Sequence, residues 1–315
     1  MIPYSKSFVI NHAFENIINI PNGTYMKSPG DDYFGLQWQV VIGRSNEHLE
    51  LFFGSPTLLD KENRETAIKI EAVLISEGKP LLSQHGSTVL GNMNHGEKAD
   101  FTGWSKFANW NHVIGEYLMN NMLHVKVYVE IESMTGIYKS VLRHFGEAMR
   151  ELSDIVLTVQ GKKFFVSKLY LATHSDTFKT MLLGCYEESN KKDVTLNGID
   201  ADDFQNYLEV LYGDDAIDDN NVDGILLVAD MFHTPLVLKK CEKFLINESR
   251  KTRRRKVQLS IRFNLNDLQN HCVWGMRTDE DLREMLPKGI SILAPDERHT
   301  ILTILNNELF GGPID

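Results

Sequence analysis

Residues 153–188, SDIVLTVQGKKFFVSKLYLATHSDTFKTMLLGCYEE, constrain the fold more than any other stretch of the chain. Ile155, Val156, Leu157, Thr158 and Val159 form a β-branched, apolar run suited to a buried strand. Gln160-Gly161 turns it into a second short run, Phe164-Phe165-Val166, which predicts a hairpin. Residues 168–173 then take helical spacing, and Ser175 can cap a further helix whose inner face is Phe178, Met181 and Leu182. Strand, hairpin, helix and helix follow one another without a spacer.

At 315 residues the chain exceeds what one hydrophobic core usually organises, so two or more domains are expected. Its net charge is −10, and residues 150–247 hold 17 Asp+Glu against 10 Lys+Arg, a balance that argues against phosphate binding and so against nucleic acid. The three cysteines form no C-x-x-C pair, which disfavours both a disulfide framework and a zinc cluster and fits a reducing compartment. No segment approaches 18 apolar residues and the N-terminus lacks a signal-peptide core, so no membrane partner and an intracellular place, cytoplasmic and/or nuclear, are expected.

Ahead of the central stretch, residues 8–131 read as short alternating strands. The clearest carries Leu123, Val125, Val127, Val129 and Ile131 on one face. Others fall at 8–10, 36–42, 49–53 and 67–75, separated by turn clusters at 21–23, 28–32, 54–56 and 91–94. This spacing predicts a β-sandwich. Between 134 and 150, Tyr138, Val141, Leu142, Phe145 and Met149 lie on one helical stripe, predicting an amphipathic linker helix. After it, 193–196 reads as a strand, Asp200 caps a helix carrying Phe204, Tyr207, Leu208 and Leu211, and Gly213 ends it. The acidic run 214–221 reads as a solvated turn rather than a calcium loop, since the EF-hand glycine and terminal glutamate are absent. The next helices carry Val222, Ile225, Leu226 and Ala229, then Leu236, Cys241, Phe244 and Leu245. Further helical patterns occupy 257–263, 265–273, 278–285 and 296–309.

Enzyme signatures are lacking: there is no G-x-G-x-x-G, Walker A, G-x-S-x-G or H-E-x-x-H, so neither catalysis nor a cofactor is expected. His85 and His95 flank a glycine-bearing turn and read as surface loop rather than metal ligands, and Cys185 reads as a small apolar residue. The basic run 250–256 is either a nuclear-import signal or anion-binding edge, or simply a solvated helix start.

The order D-I-x-L-x-V-x-G-x-x-F, then L-x-x-x-S-x-x-F-x-x-M, resembles the BTB (POZ) domain, carried by Asp154, Ile155, Leu157, Val159, Gly161, Phe164, Lys168, Leu171, Ser175, Phe178 and Met181. Ser167 stands where that family usually has His. Residues 6–133 resemble the MATH (TRAF-type) domain through Phe8-Val9-Ile10, the Trp38 strand, Gly103-Trp104-Ser105-Lys106-Phe107 and Tyr117-Leu118. Together they imply an α+β multidomain chain: a tail at 1–5, an antiparallel MATH β-sandwich at 6–133, a linker helix at 134–150, an α/β BTB domain at 151–248 and a helical BACK-like extension at 249–315.

The resemblance implies a function in recognition. BTB domains that recruit the cullin-3 scaffold carry a hydrophobic-x-Glu element, matched here by Tyr186, Glu187 and Glu188, with Phe178 and Met181 on the helix before it. MATH adaptors bind a protein substrate as an extended peptide in a sandwich groove, placed here at Phe52, Phe101, Thr102, Gly103 and Trp104, with Thr102 where an aromatic is frequent. Homodimerisation is implied through Phe145, Met149, Leu152 and a buried pair, Asp154 and Lys168. The expected protein is a substrate adaptor of a cullin-3 ubiquitin ligase; the alternative is a dimeric scaffold or transcription-associated interaction protein without a ligase.

Overall fold

The computed structural model describes residues 6–60, 64–76, 78–92, 98–138, 141–184 and 192–273. They form two compact units, one of residues 6–137 with 252–257 and 272–273 and one of residues 138–251 with 258–271.

The first unit is the β-sandwich. Its strands are Lys6–Glu15 (β1), Tyr25–Lys27 (β2), Asp31–Tyr33 (β3), Leu36–Ser45 (β4), His48–Gly54 (β5), Glu65–Ile75 (β6), Leu82–Asn92 (β7), Lys98–Ala99 (β8), Phe101–Asn109 (β9) and Met122–Thr135 (β10). One sheet runs β1-β10-β6-β7-β8 and the other β2-β4-β5-β9, with β3 paired to β4. β10 is central to the first sheet, Val127 standing between Ile10 and Ala72. Its five alternating aliphatics are all at most 5% exposed, each contributing roughly 1.5–3 kcal/mol by leaving water. On the other side of the core, Trp38 stacks on Phe53 at 5.2 Å, and its indole N–H donates to the Tyr33 carbonyl at 3.1 Å.

Three features of this unit depart from the reading of the sequence. The middle of β7, residues 83–88, is SQHGST and so escapes a search for apolar alternation; His85 lies within it rather than in a loop, 3.8 Å from Glu71. Gly91 and Asn92, expected in a turn, are the last residues of that strand, and positions 93 and 94 of the expected turn lie outside the described residues. A helix, Trp110–Glu116 (α1), follows β9 and is capped by Asn109, whose side chain accepts from His112 N–H.

In the second unit, Ile155–Val159 (β11) and Lys162–Val166 (β12) form the expected hairpin, and Gln160 and Gly161 both take positive φ, 47° and 80°, as a type I′ turn requires. Asp193–Leu196 (β13) adds parallel to β11. Lys168–His174 (α2) and Asp176–Leu183 (α3) follow the hairpin, then Ala201–Leu211 (α4), Val222–Met231 (α5) and Pro235–Asn247 (α6). Asp200 caps α4 by accepting from Asp202 and Asp203 N–H, and Phe204, Tyr207, Leu208 and Leu211 are at most 1% exposed. Val222, Ile225, Leu226 and Ala229 of α5 are all fully buried. On α6, Val237 rather than Leu236 faces inward, Leu236 being 38% exposed. The acidic run 214–221 is a turn held by its own side chains, the Asp218 carboxylate accepting from Asn220 and Asn221 N–H.

The stretch expected as a linker helix is not one. Among its described residues the chain after β10 is irregular until Glu147–Leu152 winds into a 3-10 turn. It is held by side chains of α4. Tyr138 donates to Asp203 at 2.6 Å, the Glu209 carboxylate accepts from Leu142 and Arg143 N–H at 2.9 and 3.2 Å, and Gln205 donates to the Arg143 carbonyl at 2.7 Å. Phe145 is 2% exposed and its carbonyl accepts from Phe165 N–H.

The helices Arg253–Arg262 (α7) and Asn266–Val273 (α8) match expected helical patterns, while those at 278–285 and 296–309 lie outside the described residues. The basic run is not a solvated face. Lys251 is 6% exposed with its ammonium 3.6 Å from Asp223. Within the first unit, Arg254 lies 3.6 Å from Asp31 and the 6%-exposed Arg255 sits 4.0 Å over the Tyr33 ring. Burial raises the Asp31 carboxyl above its ordinary range against the opposing pull of Arg254 and Arg255.

Candidate functional site

β9 ends its sheet, paired to β5 on one side and, among the described residues, to no strand on the other. Such an edge presents unpaired backbone groups to an incoming extended chain. The register sorts the expected groove residues onto two faces. Thr102 stands opposite Phe53 and Trp104 opposite Leu51, both fully buried residues, so this pair faces the sandwich interior at its margin. Trp104 packs edge-on to Phe107 at 5.7 Å. Phe101 and Gly103 stand opposite Gly54 and Phe52 and face outward. The five residues therefore form no single surface, although a strand added to β9 would alternate its side chains between the two faces. Gly103 is required by this packing: a Cβ there would fall 2.1 Å from the Leu51 carbonyl oxygen.

In the second unit the expected cullin element, Tyr186-Glu187-Glu188, lies outside the described residues, as do Cys185 and His95. The helix leading to it, α3, is capped by Ser175, which accepts from Phe178 N–H at 3.0 Å and donates to the Phe232 carbonyl. Phe178 is fully buried and stacks on Phe232 at 4.2 Å, so it anchors α3 and does not face a partner. Met181 is half-buried, and Leu183 is 51% exposed at the helix end.

The residues expected at a dimer interface also divide. Phe145 belongs to the core, its ring 5.1 Å from Tyr212. Met149 is half-buried, while Leu152 and Leu169 are 76% and 68% exposed. In the single chain Asp154 is exposed, and its carboxylate accepts from Lys168 N–H at 2.6 Å, so it supports the first turn of α2 alongside the Ser167 cap. Leu152, Leu169 and Leu183 were not singled out together by sequence because each sits at a different element end; exposure alone groups them.

Among the described residues no cluster of three or more His, Cys, Asp or Glu is placed to hold a metal, and no helix is long and apolar enough to cross a membrane. Cys241 is fully buried and burial drives its thiol well up; Cys272 is pushed up to about 11. Both are packing residues.

Comparison with known proteins agrees with the two units. Residues 14–131 match the MATH domain model and residues 145–249 the BTB/POZ domain model. The chain is 34% identical over 278 residues to BTB and MATH domain-containing protein 15 of Caenorhabditis elegans, covering 88% of this chain and 100% of that protein. It is 31% identical to BTB and MATH domain-containing protein 45 of the same organism, over 90% of this chain and 60% of that protein. Kelch-like protein 40 of Xenopus laevis shares 39% identity over 93 residues, 29% of this chain and 15% of that protein. The chain belongs to the family of BTB and MATH domain-containing proteins.

Proposed function

We propose that the protein is a substrate-recognition adaptor of a cullin-3 ubiquitin ligase, in which the MATH domain binds the target and the BTB domain dimerises and binds the cullin. The reading rests on one observation above others: a sandwich whose edge strand β9 is open for an added strand is joined in one chain to a BTB domain. The 93-residue similarity to a Kelch-like protein supports the same reading. The adaptor itself carries out no chemistry. Substrate enters as an extended peptide along β9, its alternate side chains meeting Thr102 and Trp104 on one face and Phe52, Phe101 and Gly103 on the other. Of the helical extension expected at 249–315, α7 and α8 are the described part.

Calorimetric titration of the full chain with the cullin-3 N-terminal region tests the proposal. Tyr186 supplies an aromatic anchor and Glu188 a charge-assisted contact. The double substitution Tyr186→Ala, Glu188→Ala is expected to cost about 2 kcal/mol or more, roughly thirtyfold in affinity. Absence of binding by the unaltered chain would instead favour a dimeric scaffold without a ligase.

A further inference from the structure

The outward face of the second sandwich sheet carries a feature that extends away from β9 across β5, β4 and β2, sharing only Phe52 with the strip that a strand added to β9 would cover. Tyr25 on β2 stands opposite Gly43 on β4, and Gly43 opposite Glu50 on β5. Gly43 has no side chain, and a Cβ there would lie 2.5 Å from the Tyr25 ring, so the ring lies flat across the middle strand. Its hydroxyl thereby reaches Glu50, two strands away, and this contact raises the phenol above its ordinary value. Phe52, two residues along on the same face, places its ring 6.2 Å from that of Tyr25 at 60°.

Glu50 is 7% exposed, yet among the described residues it has no ion-pair partner. Burying a carboxylate without a cation is costly. A bulge in the β5–β9 pairing falls between Leu49 and Leu51, so no β9 residue stands opposite Glu50. Tyr25, by contrast, is 53% exposed, leaving one side of the shelf open. Two aromatic rings set at an angle around a carboxylate are complementary to a planar cation. A guanidinium can stack on a ring while donating a forked pair of hydrogen bonds to the carboxylate, which a compact ammonium cannot do in the same pose.

From this geometry we infer that Tyr25, Glu50 and Phe52 form a second recognition site on the sandwich, one that takes an arginine side chain of a partner protein. It lies on the opposite face of the sheet from Trp104 and operates independently of the cullin contact. An adaptor with such a site selects targets on a basic residue as well as on the segment paired to β9.

The test is an octapeptide array with randomised flanks and arginine, lysine or citrulline fixed at the centre, probed with the full fluorescently labelled chain. Arginine peptides are expected to bind more strongly than lysine peptides, and citrulline peptides, which keep the shape without the charge, to bind about tenfold less than arginine. Glu50→Gln, close to isosteric, and Phe52→Leu are each expected to remove most of that preference while leaving the circular dichroism unchanged. Two results overturn the assignment: equal binding of arginine and citrulline peptides by the unaltered chain, or an arginine preference that survives Glu50→Gln.

Discussion

His124 shows how one residue sets a pH limit on the sandwich. It lies on β10 between Ala13 and Ile75, is 4% exposed, and its Nδ1 has no hydrogen-bond partner. Burial lowers its pKa from the ordinary 6.5, so the folded state holds the neutral imidazole. The unfolded chain therefore binds the extra proton first as the solution is acidified. The stability tied to neutral His124 is fully present above pH 6.5 and falls as pH drops below it. Urea unfolding followed by tryptophan fluorescence is expected to give a lower midpoint at pH 5.5 than at 7.5, with His124→Leu flattening the difference. An unchanged pH slope in that variant would place the dependence elsewhere.

At the scale of elements, the segment between the two domains is fixed by α4 rather than by its own propensity. Glu209 is 2% exposed and accepts three hydrogen bonds, from Leu142 N–H, Arg143 N–H and the Gln205 side chain. Arg143 adds a forked pair to Asp214 at 2.6 and 2.9 Å. Glu209→Ala would strand two backbone donors, at a cost of roughly 2–4 kcal/mol. Hydrogen exchange of peptides covering 138–146 is expected to speed up by about thirtyfold or more, and Glu209→Gln, which keeps an acceptor, by much less. Equal rates in the Ala variant and the unaltered chain would dismiss the clamp. The same contacts explain why this element was misread from sequence. Tyr138, Val141, Leu142, Phe145 and Met149 do repeat at helical spacing, but the acceptor for Leu142 and Arg143 N–H lies over sixty residues away, where no periodicity can reveal it. Where local signals agreed, as in the Gln160-Gly161 turn, the Asp200 cap and the β10 alternation, sequence and structure coincide. β7 was missed because its middle, residues 83–88, is SQHGST and offers no apolar alternation, while Phe178 is buried as the inner-face spacing of its helix gave it.

For the whole molecule, the expected state is a homodimer formed through the BTB unit. Leu152 and Leu169, the first just before β11 and the second in the first turn of α2, are among the most exposed large apolar side chains of that unit, at 76% and 68%. The Asp154 carboxylate, bound to Lys168 N–H, ties the two stretches together. Two such exposed leucines on stretches tied together in this way mark an interaction surface, and a two-fold axis would bury both from each copy. Each leucine contributes roughly 1.5–3 kcal/mol on full burial, so a pair from each protomer is enough to decide the association state at micromolar concentration. Phe145 takes no part, being already in the core. Sedimentation of the full chain is therefore expected to give a dimer, and Leu152→Glu with Leu169→Glu a monomer of unchanged circular dichroism. The same variant should bind a target carrying one recognition segment as well as the unaltered chain does. For a target carrying two, it should lose the avidity of paired capture, about 10²-fold where the spacing lets both sandwiches engage. A monomeric unaltered chain would end the dimer proposal; a dimer that gains nothing on two-segment targets would end the avidity argument alone.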